Sequence, residues 1–239
     1  MKKNPKILLI IPAYNEEANV LRVYNNIVSY NKHAKNKLDV IFINDGSKDN
    51  TENILLENKI NHIKLIQNLG IGGAVQTGYK YALYNDYDIA IQFDGDGQHD
   101  VNYVEALIKP ILDGDADMTI GSRFIDSTSS EFKSSGMRRA GIKIISWCIK
   151  FKTRKKIYDT TSGFRAVNKR IIESFAVHYP LEYPEPISSV DVLLDGMNLK
   201  EVPVSMNERV AGKSSIGSWK NIYYMINVTL SILLRKRGK

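Results

Sequence analysis

The stretch QFDGDGQHD, residues 92–100, decides how this chain is read. It follows a short apolar run at 89–91, and that run is preceded by the turn-like Asn85, Asp86, Tyr87 and Asp88. The pattern predicts a buried strand that opens into a loop. Asp94 and Asp96 stand at the opening, one residue apart, and Gly95 and Gly97 remove bulk so that the backbone can turn sharply. Several oxygens then converge on one point. A hard divalent cation suits such a point, because Mg²⁺ and Mn²⁺ take one or two oxygens from carboxylates and the rest from water and phosphate. The same Asp-x-Asp spacing also occurs in solvated turns, so the rest of the chain has to decide.

Working outward, apolar runs at 6–11 and 39–43 predict two more buried strands, with a shorter one at 63–66. The first ends at PAYNEE, where Asn15 is expected to cap a helix over about 16–30 and Glu16 and Glu17 suit its positive end. A second helix is expected from about Asn50. The glycine-rich NLGIGGAVQTG, residues 68–78, reads as a turn entering a helix whose backbone can approach a phosphate or sugar, or as a tight turn needing no ligand. It fits neither the Walker nor the dinucleotide fingerprint. A helix over about 101–112 and a strand at 117–120 follow, the latter ending in GSRF. Strand and helix therefore alternate through the first 125 residues, which implies an α/β fold with a mostly parallel sheet and ligands at its carboxyl edge. Tyr14, Asp45, Gly72, Asp94, Asp96 and Arg123 all follow expected strands and would share that edge.

The 239 residues allow one domain, with the regular strand–helix alternation filling 1–125 and a less regular half at 126–239. A single cysteine, Cys148, excludes an internal disulfide and fits a reducing compartment. Lys2 and Lys3 lead into a run broken by Pro12 and charged at Glu16 and Glu17, so no signal peptide is expected and the chain reads as cytoplasmic. The net charge of +7 is local: 133–156 holds nine Lys or Arg and no acid, leaving −2 elsewhere. That segment also carries Ile142, Ile144, Ile145, Trp147, Ile149 and Phe151, a mixture that suits an anionic membrane surface at least as well as nucleic acid. A helix is expected there over about 136–152. Its apolar residues fall on no single clean face, so a partly buried helix with a basic rim is the competing reading. The C-terminal 219–234 is apolar and aromatic, but its least interrupted part, 225–234, falls short of the roughly 20 residues that cross a bilayer, and a surface-lying or core-packed helix is expected.

IPAYNEE, NDGSKDNT, NLGIGGAVQTG, DGDGQH and GSRF, in this order, closely resemble the family 2 inverting glycosyltransferases, and most of all the branch related to dolichol-phosphate mannose synthase. DTTSGFRAVN at 159–168 and ERVAGKSS at 208–215 extend the match over nearly the whole chain. The resemblance implies a GT-A fold and a UDP- or GDP-sugar bound by Pro12, Ala13, Tyr14, Glu16, Asp45, Gly72, Gly73 and Gly95. It implies a Mg²⁺ or Mn²⁺ ion on Asp94, Asp96 and Gln98, holding the diphosphate. It also implies an acceptor side formed by Arg138, Arg139, Ser162, Arg165, Arg209, Lys213 and Ser214, with Arg123 and Arg165 counted in the catalytic set. Asn44 departs from the acidic residue commoner before Asp-Gly-Ser, which leaves nucleoside selectivity open. Read without the family, Thr161–Arg165 is a strand-edge turn and Arg209 and Lys213 are surface charges.

A lipid phosphate is already ionised and attacks without a base, whereas a sugar hydroxyl needs one. Glu182, Glu185 and Asp191 are the candidates, Glu185 foremost in the second case. The expected activity is transfer of a sugar to a polyprenyl phosphate at the cytoplasmic membrane face, for cell-envelope glycan synthesis. Extension of a saccharide and a non-catalytic nucleotide-binding subunit are the alternatives. A small membrane-protein partner or a homo-oligomer fits the absence of a long membrane span. His99 has no assigned role.

Overall fold

The structure is a computed structural model that describes the backbone of residues 4–125, 136–206 and 218–236, and the side chains of these apart from 136–140 and 218–222. Seven strands form one sheet in the order β3-β2-β1-β4-β6-β5-β7. In chain order these are β1 (Ile7–Ala13), β2 (Leu38–Asn44), β3 (His62–Lys64), β4 (Ile89–Gln92), β5 (Met118–Ser122), β6 (Arg165–Asn168) and β7 (Leu199–Pro203). All pairings are parallel except those of β6, which runs antiparallel between β4 and β5.

The helices are α1 (Val20–His33), α2 (Thr51–Glu57), α3 (Gly70–Tyr84), α4 (Val104–Leu112), α5 (Gly136–Thr153), α6 (Lys169–Val177), α7 (Pro184–Leu194) and α8 (Ser218–Leu234). They cover both faces of the sheet, which is why the central strand β1 is an unbroken apolar run instead of alternating. Successive β1 residues feed two separate cores. Leu8 and Ile10 join residues of α3, α5, α6, α7 and α8, while Ile7, Leu9 and Ile11 join those of α1, α2 and α4. Each fully buried Leu or Ile contributes about 1.5–3 kcal/mol, so β1 anchors both layers.

Three expectations shift. The first helix starts at Val20, and Asn15 does not cap it. Asn15 takes a left-handed conformation at φ 55°, and its side chain accepts from Lys48 N–H. Glu16 and Glu17 likewise serve the loop after β2: Glu16 N–H donates to Thr51 Oγ1, and the Glu17 carboxylate accepts from Asn50 N–H. Most of the glycine-rich stretch is itself helical, since α3 begins at Gly70, and Gly72 lies so close to the backbone of Pro180 and Leu181 that a Cβ would collide with it. The third strand runs over His62–Lys64, earlier than 63–66. The sheet also continues past residue 125 through β6 and β7, which the sequence reading did not anticipate.

Candidate active site

The ends of β1, β2, β4 and β5 share one edge, and the loops after them carry Tyr14, Asp45, Asp94, Asp96 and Arg123. The loops after β1 and β2 are laced together. Asn15 N–H donates to Ser47 Oγ at 3.0 Å and Glu17 N–H to Asp49 Oδ2 at 3.0 Å, in addition to the bonds just described. Pro12 and Ala13 are buried beneath this pair of loops, Tyr14 is exposed on it, and Glu16 Oε2 accepts from Asn19 Nδ2 at 2.6 Å. Asp45 is buried, and its Oδ1 accepts from Leu69 N–H at 2.7 Å. Burial raises its pKa while the Leu69 and Gly70 amides oppose the rise. Asn44 donates to Glu52 and accepts from Ser47 N–H, so the residue that departs from the acidic pattern is spent inside the β2 loop.

At the end of β4, Gly95 packs where a Cβ would lie 2.9 Å from the Pro12 carbonyl oxygen, which seats the Asp94–Asp96 turn on β1. Asp94 keeps 37% side-chain exposure, and its Oδ2 meets His99 Nε2 at 3.0 Å. Asp96 is 7% exposed, and its Oδ1 accepts from Gln98 N–H at 2.9 Å. Among the described residues, no three His, Cys, Asp or Glu side chains come together as a self-sufficient metal site. By their chemistry, two carboxylates and the Gln98 amide nevertheless offer the oxygen donors that suit a hard cation taking its remaining oxygens from phosphate and water. The residues present therefore suit Mg²⁺ or Mn²⁺ held jointly with a diphosphate.

The arginines are placed differently from expectation. Arg123 makes a bidentate pair with Asp159, Nε to Oδ2 at 2.7 Å and Nη2 to Oδ1 at 2.8 Å, and adds Thr161 Oγ1 at 3.1 Å. Asp159 and Tyr158 in turn donate their N–H groups to Glu201, whose pKa is raised by burial. Arg165 is 1% exposed. Its Nε donates to Ser162 O, and Nη1 donates to Glu185 O, Ser188 Oγ and Ser189 Oγ. It thus pins the first turn of α7 to β6, directly beside Gln92 of β4. Ser162 is buried with it.

Among the three candidate bases, the structure separates Glu185 from the others. Asp191 is held bidentately by Arg235, and Glu182 lies exposed. Burial raises the Glu185 pKa, the Asp94 charge adds to the rise, and Arg165 and the Gln92 side chain oppose it. Glu185 is therefore electrostatically part of the Asp94 site. Arg138 and Arg139 fall in the first turn of α5, where the described structure gives only backbone, and Arg209, Lys213 and Ser214 lie outside the described residues. Sequence reasoning missed His99, Asp159 and Glu201. The first had a signal, standing next to Gln98; the other two act through buried pairing that no spacing reveals.

A sheet in this order, with paired carboxylates at its carboxyl edge, defines the nucleotide-sugar-binding α/β class known as GT-A. Solved structures agree on the fold: glucosyl-3-phosphoglycerate synthase from Mycobacterium tuberculosis, in complex with Mn²⁺, UDP-glucose and phosphoglyceric acid, superposes with a TM-score of 0.67 at 19% identity, covering 96% of this chain and 79% of that one. Residues 8–175 match the glycosyl transferase family 2, and the chain belongs to that family. It is 30% identical to a UDP-N-acetylglucosamine–dolichyl-phosphate N-acetylglucosaminyltransferase of Methanococcus voltae, over 98% of this chain and 97% of that protein. It is 24% identical to a polyprenol monophosphomannose synthase of Mycolicibacterium smegmatis, over 90% and 83% respectively. The chain is accordingly a glycosyltransferase.

Proposed function

We propose that this enzyme moves a sugar from a nucleotide-diphosphate donor to a polyprenyl phosphate, working as a peripheral protein on the cytoplasmic membrane face in the synthesis of cell-envelope glycans. The observation that carries the reading is the Asp94–Asp96 turn, seated on β1 beside the laced β1 and β2 loops. The nucleoside lies across those loops, against Pro12, Ala13, Tyr14, Glu16 and Asp45, and its diphosphate reaches Asp94 and Asp96. Mg²⁺ or Mn²⁺ on Asp94, Asp96 and Gln98 would neutralise charge on the departing diphosphate. The relatives named above, one using a UDP-sugar by its name and both acting on lipid phosphates, support this donor and acceptor class.

An acceptor phosphate oxygen attacks the anomeric carbon from the face opposite the diphosphate. The bond from that carbon to the β-phosphate oxygen breaks, and the nucleoside diphosphate leaves with the electron pair. With a second phosphate pKa of about 6, the acceptor needs no base. Arg123 and Arg165 support this chemistry from within, holding the 159–161 loop and the start of α7 in place.

The surface of α5 and α8 supports the membrane reading. Ile144, Trp147 and Phe151 form an exposed stripe on α5, with the Trp147 and Phe151 rings stacked at 5.7 Å. Tyr223, Ile226, Leu230 and Leu234 form another on α8, which packs against α5. Lys143 and Lys150 are exposed on the same helix as the first stripe, a combination suited to anionic lipid. Among the described residues, no helix is long and apolar enough to cross a membrane.

The test is incubation with a panel of UDP- and GDP-sugars, Mn²⁺ or Mg²⁺, and either polyprenyl phosphate or an oligosaccharide. Sugar is expected on the lipid phosphate. Sugar found only on the oligosaccharide contradicts the acceptor, and nucleotide binding with no turnover contradicts the enzyme.

A further inference from the structure

We propose that His99 is a positioning residue for the metal carboxylate Asp94. The inference rests on the metal reading above and goes beyond it by assigning a residue that touches neither donor nor acceptor. His99 is almost wholly buried, with 1% side-chain exposure, yet its Nε2 lies 3.0 Å from Asp94 Oδ2. The neighbouring chain holds both partners. Phe93, immediately before Asp94, meets the imidazole edge-on at 5.5 Å, and Phe164, immediately after Gly163, stacks on it at 5.0 Å and 25°. Phe93 and Phe164 also pack on each other at 89°. Gly163 completes the seat, because a Cβ there would stand 2.7 Å from both Asp94 carboxylate oxygens. The two segments that confine Asp94 thus also clamp the ring that bonds it. The backbone of His99 is fixed as well, through an antiparallel bridge to Met206.

The hydrogen-bond pattern assigns the tautomer. His99 Nδ1 is buried with no hydrogen-bond partner among the described residues. With the proton on Nε2, the ring donates to Asp94, and Nδ1 carries only a lone pair. The opposite tautomer buries an N–H without an acceptor and sets two lone pairs against each other, which costs the full desolvation of that donor. His99 therefore gives its one donor to Asp94 Oδ2 and fixes how the carboxylate faces. Hydrogen bonds of this kind to metal-ligating groups are worth about 10- to 100-fold in metal affinity.

The experiment compares two substitutions that separate packing from hydrogen bonding. His99→Phe keeps a ring between Phe93 and Phe164 but has no donor, whereas His99→Gln loses the ring but ends in an N–H at a similar reach. Mn²⁺ affinity of the full chain is read by the electron paramagnetic resonance of free Mn²⁺ with UDP, and again with GDP, alongside each variant's melting temperature. The expected result is about 10- to 100-fold weaker Mn²⁺ binding in His99→Phe and near-normal binding in His99→Gln. Wild-type affinity in His99→Phe, or an equal loss in both folded variants, overturns the positioning role. Asp96→Asn is the control on the underlying reading: if it leaves Mn²⁺ binding intact, the metal site itself is wrong, whatever His99 does. Should either His99 variant fail to fold, imidazole ¹⁵N NMR of the wild-type chain reads the tautomer directly. A proton on Nε2 supports the proposal, and a proton on Nδ1 overturns it.

Discussion

Arg123 and Arg165 look alike in the sequence, each following a strand-edge turn and each offering a guanidinium to a phosphate. Both are folded inward, Arg123 onto a carboxylate and Arg165 onto backbone carbonyls and serine hydroxyls. Arg123 satisfies a buried carboxylate, Asp159, so removing that partner strands a charge with 7% side-chain exposure. Asp159→Ala is expected to cost about 3–5 kcal/mol in urea unfolding, far more than loss of an exposed ion pair such as Lys109 with Asp113. Glu185 makes the complementary prediction. Its raised pKa means the folded chain binds that proton more tightly than the unfolded chain does. The resulting stability is fully present below the ordinary value of 4.5 and is lost as pH rises through the raised one. The melting temperature of Glu185→Gln should therefore gain on that of the wild type as pH rises from about 4.5 through the raised value. The same variant should still glycosylate a lipid phosphate, since that acceptor needs no base.

At the scale of elements, α5 explains why its sequence showed no clean face. Ile142, Ile145, Cys148 and Ile149 are buried against the core, while Ile144, Trp147 and Phe151 point outward at 51%, 63% and 69% exposure. Two apolar faces on one helix blur the period that marks either of them. Lys152 illustrates the join, its Nζ donating to Leu233 O at the end of α8. Trp147→Ala combined with Phe151→Ala removes the outward aromatic pair and leaves the buried face intact. Co-sedimentation with anionic phospholipid vesicles should fall several-fold in this double variant, with the melting temperature little changed; unchanged sedimentation would contradict the docking face. The start of α1 shows the opposite failure. A capping Asn and two acids are the usual signature of a helix N-terminus, but here a neighbouring loop consumes them four residues early.

For the whole molecule, β1, β2, β4 and β5 were legible because strands buried on both faces read as unbroken apolar runs. The edge that collects the loops after these strands followed from their alternation with helices. β6 and β7 were not legible, for physical reasons. β6 has four residues and needs only one short antiparallel insertion between β4 and β5. β7 is an outer strand, half exposed, whose Lys200 and Glu201 break any apolar run. The paired carboxylates could be located by sequence, but not the buried pairing behind them, because Asp159 and Glu201 act through contacts between distant segments and the His99 ring is held by Phe164 from another segment. On the function proposed above, this edge transfers sugar to a lipid phosphate with the help of a metal on Asp94 and Asp96. The most direct measurement is mass spectrometry of polyprenyl phosphate recovered after incubation with the donor sugar nucleotide, with and without chelator, for the wild type and Asp96→Asn. Glycosylated lipid is expected to disappear on chelation, return with added Mn²⁺, and be absent from Asp96→Asn, as the proposed metal-assisted transfer requires. Glycosylated lipid that survives both chelation and the loss of Asp96 would contradict it.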